Sequence, residues 1–344
     1  MIHKKITILL TIILILTCQF MHVEAMPMVS AQSYIVIDAG SGRIIKSYNA
    51  NIKLPIASTT KIMTTILAIE NIENLSLKIE VPSECTGIEG SSIYLRPKQK
   101  VSVIDLLYGT MLRSGNDAAE TLAKFAGRNN PEGFISMMNN KAKELGALNT
   151  NFVNPNGLHA DNHYSTAYDL ALISAYAMKN DTFREIARAE KFKAGSMNNI
   201  FYNKNKVVYQ YEHGTGIKIG YTKAAGRCLV ASAEKDGTEI ITVLLNDSNW
   251  FNDSYRIFDW TFENYKSYSI VEKGQFVQYT PEGSPVFIDE SYSCVLTDEE
   301  KQDIRFEALL KPEHMSSELN AITCGTYNIY LGDSIIHTGT LVSK

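Results

Sequence analysis

Cysteine is scarce in this 344-residue chain, and none of it is spaced for a metal. There are five cysteines and no Cys-x-x-Cys pair, which removes the usual zinc signature. An excess of one charge is also missing. The chain has 33 basic and 37 acidic residues, a net charge of −4, so a nucleic-acid partner has no electrostatic support. Internal repeats and low-complexity stretches are absent, which excludes a repeat array. Long apolar runs are almost lacking. The one candidate, Ile6 to Phe20, has 15 residues, short of the roughly 20 that a membrane span needs.

What is there begins with that run. Lys4-Lys5 precede it and Val23-Glu24-Ala25 follow it, the pattern of a secretory signal cleaved after Ala25. An uncleaved N-terminal anchor is the competing reading. No Gly or Ala stands just before Cys18, which argues against a lipoprotein signal. Cys85, Cys228, Cys294 and Cys324 remain beyond it. Cys228 lies in the apolar run Cys228-Leu229-Val230-Ala231 and reads as buried and inert. Cys294 and Cys324 share the C-terminal region, where an oxidising compartment would permit them to pair. The hydrophobic fraction of 45% and charged fraction of 20% are those of a globular protein long enough for one large domain and a small one.

Ala57-Ser58-Thr59-Thr60-Lys61 is the organising stretch. Pro55 precedes it, and the apolar run Ile62 to Ile69 reads as a buried helix with Ser58 near its first turn. Residues three apart share a helix face, so the Ser58 hydroxyl and the Lys61 amine can meet. A serine becomes a nucleophile when a base takes its proton, and a lysine serves once burial or a second cation lowers its pKa. Alone, Ser-x-x-Lys is weak evidence and reads more often as a helix-capping serine with an exposed lysine. Ser114-Gly115-Asn116 and Lys218-Ile219-Gly220 follow in order, and this ordered set is the kind found in penicillin-interacting serine enzymes.

The remaining chain shows regular signals. Ser33–Asp38 and Ile44–Ile45, around Gly40-Ser41-Gly42, read as a hairpin. Ser102-Val103-Ile104-Asp105 is a capping box for a helix to Leu112, and Thr166-Ala167-Tyr168-Asp169 opens another through Met178. Helices also read over Asp117–Ala126 and Asp181–Arg188. Between them, Asn130 caps a helix with Pro131 at its first position and Gly146 after its end. Ile217–Tyr221 reads as a strand, and Asp236-Gly237 joins two strands, Arg227–Ala233 and Thr238–Leu245. Both tryptophans, Trp250 and Trp260, fall in the aromatic helical stripe from Asn249 to Tyr265, which reads as core packing. From about Lys266 short β-rich runs take over, among them Gln275–Tyr279, Pro285–Ile288 and Tyr327–Leu331. The chain ends on another strand at Ile335–Leu341, with no amphipathic anchor.

Taken together, the sequence resembles the low-molecular-mass penicillin-binding D-alanyl-D-alanine carboxypeptidases of peptidase family S11. The stretches that carry the resemblance are Gly90–Leu95, Leu112–Ala119, Asn154–Leu158, His163–Leu170 and Gly220–Arg227, spread from Ser33 to Tyr268. The resemblance implies an α/β (α+β) serine acyl-transferase fold of the β-lactamase/transpeptidase type: an antiparallel sheet flanked by helices. The expected division is a signal peptide over 1–25, a catalytic domain over 26–265 and a small β-rich domain over 266–344. It implies that Lys61 activates Ser58, and that Ser58 attacks the D-Ala-D-Ala bond of a peptidoglycan stem peptide. Ser114 relays the proton, Asn116 holds the substrate, and Lys218 supplies positive potential and orients Ser114. Ile219, Gly220 and Tyr221 line the substrate edge, and the backbone N–H groups of Ser58 and Tyr221 form the oxyanion hole. β-Lactams are the expected inhibitors, no cofactor or metal is implied, and action outside the bacterial cytoplasm is expected. His163 reads as structural.

One departure stands out. Ile219 occupies the position where the family has Thr, whose hydroxyl bonds the substrate's terminal carboxylate. Losing a hydrogen bond to a charged group costs about 1.5–3 kcal/mol, so weaker carboxypeptidase activity and penicillin affinity are expected. Thr215 is the nearby hydroxyl that would compensate, and no basic residue aligns securely with the carboxylate. Two alternatives remain open: a cell-wall-binding homologue without turnover, and a class A β-lactamase.

Overall fold

The computed structural model describes residues 25–128, 130–310 and 322–343. The N-terminal apolar run, with its signal-peptide reading, lies outside the described residues. Strands β1 (Ser33–Asp38) and β2 (Ile44–Tyr48) form the expected hairpin. A short 3-10 turn, Ala57–Thr60, leads into α1 (Lys61–Asn71). Ser58 therefore sits on a tighter turn ahead of the helix. Lys61 through Ala68 are all buried, because α1 is wrapped on every side by other elements.

Strands β3 (Lys78–Glu80) and β4 (Lys100–Ser102) pair before α2 (Val103–Leu112). Ser102 Oγ caps α2 by accepting from the Asp105 N–H at 3.3 Å. The chain breaks at Arg113-Ser114-Gly115 and resumes as α3 (Asn116–Ala126), one residue earlier than the sequence suggested. Asn130 caps α4 (Pro131–Glu144), and Thr166 caps α5 (Ala167–Met178) through Asp169. Next come α6 (Asp181–Arg188), the β5 (Lys191–Ala194) and β6 (Asn199–Tyr202) hairpin, and the single turn α7 (Val207–Gln210).

The main sheet completes with β7 (Gly214–Thr222), β8 (Gly226–Lys235) and β9 (Thr238–Leu245). Its order is β2-β1-β9-β8-β7, antiparallel throughout. β7 is an edge strand, so one side of its backbone faces the helical layer that carries Ser58. Strand alternation divides the two cores. Ile35, Ile37, Cys228, Val230 and Ile241 pack toward the helices α1 to α6. Val36, Leu229, Ala231 and Ile240 pack toward α8 (Trp250–Asn264), with Ile257, Phe258 and Trp260.

After α8 the described residues are mostly β, with one 3-10 turn at Glu300–Asp303. Strands β10 (Lys266–Val271) and β13 (Tyr292–Leu296) pair. β11 (Phe276–Tyr279), β12 (Pro285–Ile288), β14 (Ile304–Leu310), β15 (Ile322–Leu331) and β16 (Ser334–Ser343) form a sheet ordered β11-β12-β16-β15-β14. This C-terminal β domain has its own core around Val286, Ile288, Tyr327, Ile329 and Leu341. Among the described residues, Arg43 and Asp38 pin it to the first hairpin. Arg43 donates to the Val295 carbonyl and pairs with Glu300 at 2.5 Å, while the Val295 N–H donates to Asp38 at 3.3 Å. Cys294 and Cys324 share the C-terminal core but do not pair, and Cys85, Cys228, Cys294 and Cys324 are all buried and free.

Candidate active site

Three elements converge on Ser58. The first is its own turn. Ala57 adopts a left-handed φ of +48°, a conformation that costs a non-glycine residue of the order of 1 kcal/mol or more. Several contacts hold it there. Thr60 Oγ1 donates to the Ala57 carbonyl at 2.8 Å, and Thr60 in turn meets His163 Nε2 at 2.7 Å. His163 Nδ1 accepts from the Val153 N–H at 3.2 Å. That acceptor role places the ring proton on Nε2, so the histidine donates to Thr60. Burial lowers the His163 pKa to about 4, helped by the charge of Lys61. The histidine is thus neutral and supports the turn, as the sequence reading held.

Lys61 follows one helical step later. Its Nζ donates to Ser58 Oγ at 3.0 Å, to Asn116 Oδ1 at 2.7 Å and to the Asn156 carbonyl. The side chain is fully buried. Burial, then the positive charge of Lys218, holds its pKa well below the usual lysine value. A lowered pKa makes the amine easier to deprotonate, and its 3.0 Å contact with half-buried Ser58 is the geometry that general-base activation requires.

The second element is the break between α2 and α3. Ser114 takes a left-handed φ of +60° and is nearly buried. Asn116 begins α3 and is fastened on both sides: its N–H donates to the Ser91 carbonyl at 2.7 Å and its Nδ2 to the Glu89 carbonyl at 2.5 Å. Next to it, Asp117 is fully buried and accepts from Ile93 N, Leu95 N, Ala118 N and Ser92 Oγ at 2.6 to 3.0 Å. Those bonds tie the loop Gly90–Leu95 to the Ser-Gly-Asn turn.

The third element is β7. Gly220 lies against the Ser58 turn, where a Cβ would stand 2.8 Å from the Ser58 nitrogen. The strand edge can approach only because that side chain is missing. Lys218 is buried, and burial followed by the charge of Lys204 lowers its pKa to about 7.

Two expectations need correction. Lys218 does not orient Ser114 through a hydrogen bond: its Nζ donates to the neighbouring Ile219 carbonyl at 3.0 Å. Thr215 cannot replace the missing threonine hydroxyl. Its Oγ1 is engaged by Ser232 Oγ at 2.7 Å and Glu239 at 3.1 Å, on the buried part of the strand. Ile219 turns its side chain to the α8 side of the sheet, beside its cross-strand partner Leu229. Tyr221 is 64% exposed at the rim.

Sequence reasoning passed over Asn156 and Glu120. Asn156 had read only as part of a turn, yet its carbonyl accepts from Lys61 and from Ser58 Oγ at 3.5 Å. Its Nδ2 donates to Glu120 at 2.6 Å. Glu120 follows Asn116 by four residues on α3, so helical spacing offered a signal. Burial raises the Glu120 pKa, against the opposing pull of Asn156 and Lys61.

Residues 21–249 match the family model of D-alanyl-D-alanine carboxypeptidase, peptidase S11. The chain is 31% identical to D-alanyl-D-alanine carboxypeptidase DacF of Bacillus subtilis, over 82% of this chain and 76% of that protein. It is 36% identical to DacC of Escherichia coli, over 71% of this chain and 64% of the relative. Among solved structures, a D-alanyl-D-alanine carboxypeptidase from Mycobacterium tuberculosis matches with a TM-score of 0.65 and 29% identity, covering 69% of this chain and 93% of that one. Penicillin binding protein 5 from Haemophilus influenzae shares the fold over 92% of this chain and 97% of its own, with a TM-score of 0.80 and 24% identity. A Ser58–Lys61 pair held by a Ser-Gly-Asn turn and a glycine-containing strand edge is thus set in a chain whose matched length leaves little room for another reading: the protein belongs to the peptidase S11 family of D-alanyl-D-alanine carboxypeptidases.

Proposed function

We propose that Ser58 is the acylated nucleophile of a D-Ala-D-Ala carboxypeptidase acting on peptidoglycan stem peptides outside the cytoplasm. The observation that carries this reading is the 3.0 Å contact between Ser58 Oγ and the fully buried, pKa-lowered Lys61.

In the reaction, Lys61 takes the hydroxyl proton as Ser58 Oγ attacks the carbonyl carbon of the penultimate D-alanine. The developing oxyanion lies between the backbone N–H groups of Ser58 and Tyr221, a donor pair that the close approach of Gly220 makes possible. One such donor is worth about 3 kcal/mol in the transition state. Asn116 anchors Lys61 and faces the substrate amide. Ser114 passes the proton to the leaving D-alanine amine. Water then attacks the acyl-enzyme, with Lys61 again the base, and frees Ser58.

A β-lactam presents a strained amide to the same groups and acylates Ser58. Labelling with a fluorescent penicillin beside a Ser58→Ala control, followed by D-Ala release from a pentapeptide, tests the reading. Penicillin binding without D-Ala release would favour a wall-binding protein instead.

A further inference from the structure

Asn156 is a strut behind the Ser58 turn, and α3 supports it. Its carbonyl accepts from Lys61 Nζ and from Ser58 Oγ, so it touches both members of the pair. Its side chain is buried and bonded at both ends. Oδ1 accepts from the Leu158 N–H at 2.8 Å, and Nδ2 donates to Glu120 Oε1 at 2.6 Å. Asn116 and Glu120 lie four apart on α3, so one helix face serves Lys61 twice. Asn116 Oδ1 accepts from it directly at 2.7 Å, and Glu120 reaches it through Asn156.

Glu120 also lines a cavity of about 250 Å³, with Cys85, Lys124, Ile135, Val153 and Pro155. The cation of that cavity is spent elsewhere, since Lys124 pairs with Glu84. Among the described residues, neither Glu120 nor Lys61 forms a salt bridge. Burial and then Lys218 disfavour the charged form of Lys61, Glu120 favours it, and Lys204 and Asp117 act more weakly in opposite senses. Asp117 is already held by four donors, and His163 before α5 is neutral. The other helices around α1 bring charges that are taken up. Asp105 of α2 accepts from Ser196, and Glu185 of α6 from Tyr108. Lys141 of α4 and Tyr176 of α5 meet Glu70 at the far end of α1. Glu120 is therefore the main anion that Lys61 faces.

We propose that Glu120 is a positioning residue for the Ser58–Lys61 pair: through Asn156 it fixes the carbonyl to which Lys61 donates, and its carboxylate is the counter-charge of the buried ammonium. The inference rests on the acyl-transfer reading for what Lys61 does. A carboxylate near a lysine stabilises the ammonium, and so opposes the neutral form that takes the Ser58 proton. Burial and Lys218 work the other way. Glu120 thus sets the lower edge of the pH range in which Lys61 acts as a base.

The test is an NMR titration of Lys61 in protein labelled with 13C at the lysine Cε atoms, which needs no turnover. Loss of a signal in Lys61→Met identifies it. Glu120→Gln keeps an acceptor for Asn156 and removes the charge, and should lower the Lys61 midpoint by about 0.5–1 pH unit. Penicillin labelling of Ser58 in that variant should run about three- to tenfold faster than in the parent on the acid side of the profile. Glu120→Ala should lower the midpoint as well and, with the Asn156 anchor gone, slow labelling on the plateau. Glu84→Gln, in the ion pair at the same cavity, should leave the midpoint in place. Equal Lys61 midpoints in the parent and Glu120→Gln overturn the proposal. So does a shift to higher pH, or a shift of the same size in Glu84→Gln. Absence of labelling in the unmodified protein overturns the acyl-transfer reading instead, and the titration still decides the part played by Glu120.

Discussion

Gly157 packs against the carbonyl oxygen of Ala57, and a Cβ on that glycine would collide with it. Gly157 also has a φ of +83°. The turn that presents Ser58 therefore depends on a missing side chain in a loop about a hundred residues away. Replacing Gly157 with alanine should displace Ala57 and Ser58 together. We expect penicillin labelling of Ser58 to fall at least tenfold, with a loss of roughly 1–3 kcal/mol in stability by urea unfolding. Normal labelling by Gly157→Ala protein would show that the turn holds itself.

Lys61 should set the rising limb of the pH profile. In the proposed mechanism its neutral form is the base, and burial with Lys218 pulls its pKa well below 10.5. Acylation should therefore rise with pH and reach its plateau far below the range of a free lysine. Lys61→Met should cost about 10²–10⁴-fold in acylation rate, the usual share of a general base. Stopped-flow labelling across pH separates this from a binding defect.

His163 makes stability depend on pH. The folded protein holds it neutral, with a pKa lowered to about 4, against 6.5 for an unperturbed histidine. The unfolded chain thus binds this proton first as pH falls. Stability is fully present above about 6.5 and declines between 6.5 and 4, by a sum on the order of 3 kcal/mol. His163→Gln should flatten that slope in denaturant titrations. A slope unchanged by the substitution would assign the effect to other groups.

Ile219→Thr should restore the absent hydroxyl at the substrate edge. We expect about a tenfold gain in the rate of D-Ala release and in penicillin acylation, from a hydrogen bond to a charged group. Some outer-face packing beside Leu229 is lost, worth roughly 1 kcal/mol. If both rates stay unchanged, the isoleucine is not what separates this chain from the family pattern.

Asp117→Asn should loosen the loop Gly90–Leu95. An amide cannot accept from all the donors that now converge on the carboxylate, and its NH2 would face an N–H. A loss of about 2–4 kcal/mol is expected from the broken buried network. Hydrogen exchange at Ile93 and Leu95 would report it directly.

Much of the fold was legible because its signals are local. Ser102 and Thr166 cap their helices, Asp236-Gly237 closes its hairpin, and the stripe around Trp250 and Trp260 packs on the sheet. Each rests on residues a few positions apart, where spacing and capping chemistry decide the conformation. The motif residues Ser58, Lys61 and Asn116, which the structure brings together, were likewise picked out in the sequence, because ordered short motifs survive in one dimension.

Contacts between distant segments were not readable. The Asn156 carbonyl reaches Lys61 from a loop that the sequence shows only as a turn, and His163 supports Ser58 through Thr60 and Ala57. Thr215 seemed available until its hydroxyl was found on Ser232 and Glu239. Glu120 acquires meaning only where the Asn156 loop meets α3. The amino-acid order by itself determined which groups exist and which helices and strands carry them. Only the tertiary structure decided which of those groups are buried, which are already bonded, and which charges face one another. Hydrogen-bond satisfaction and desolvation depend on neighbours in space, and sequence separation says little about those.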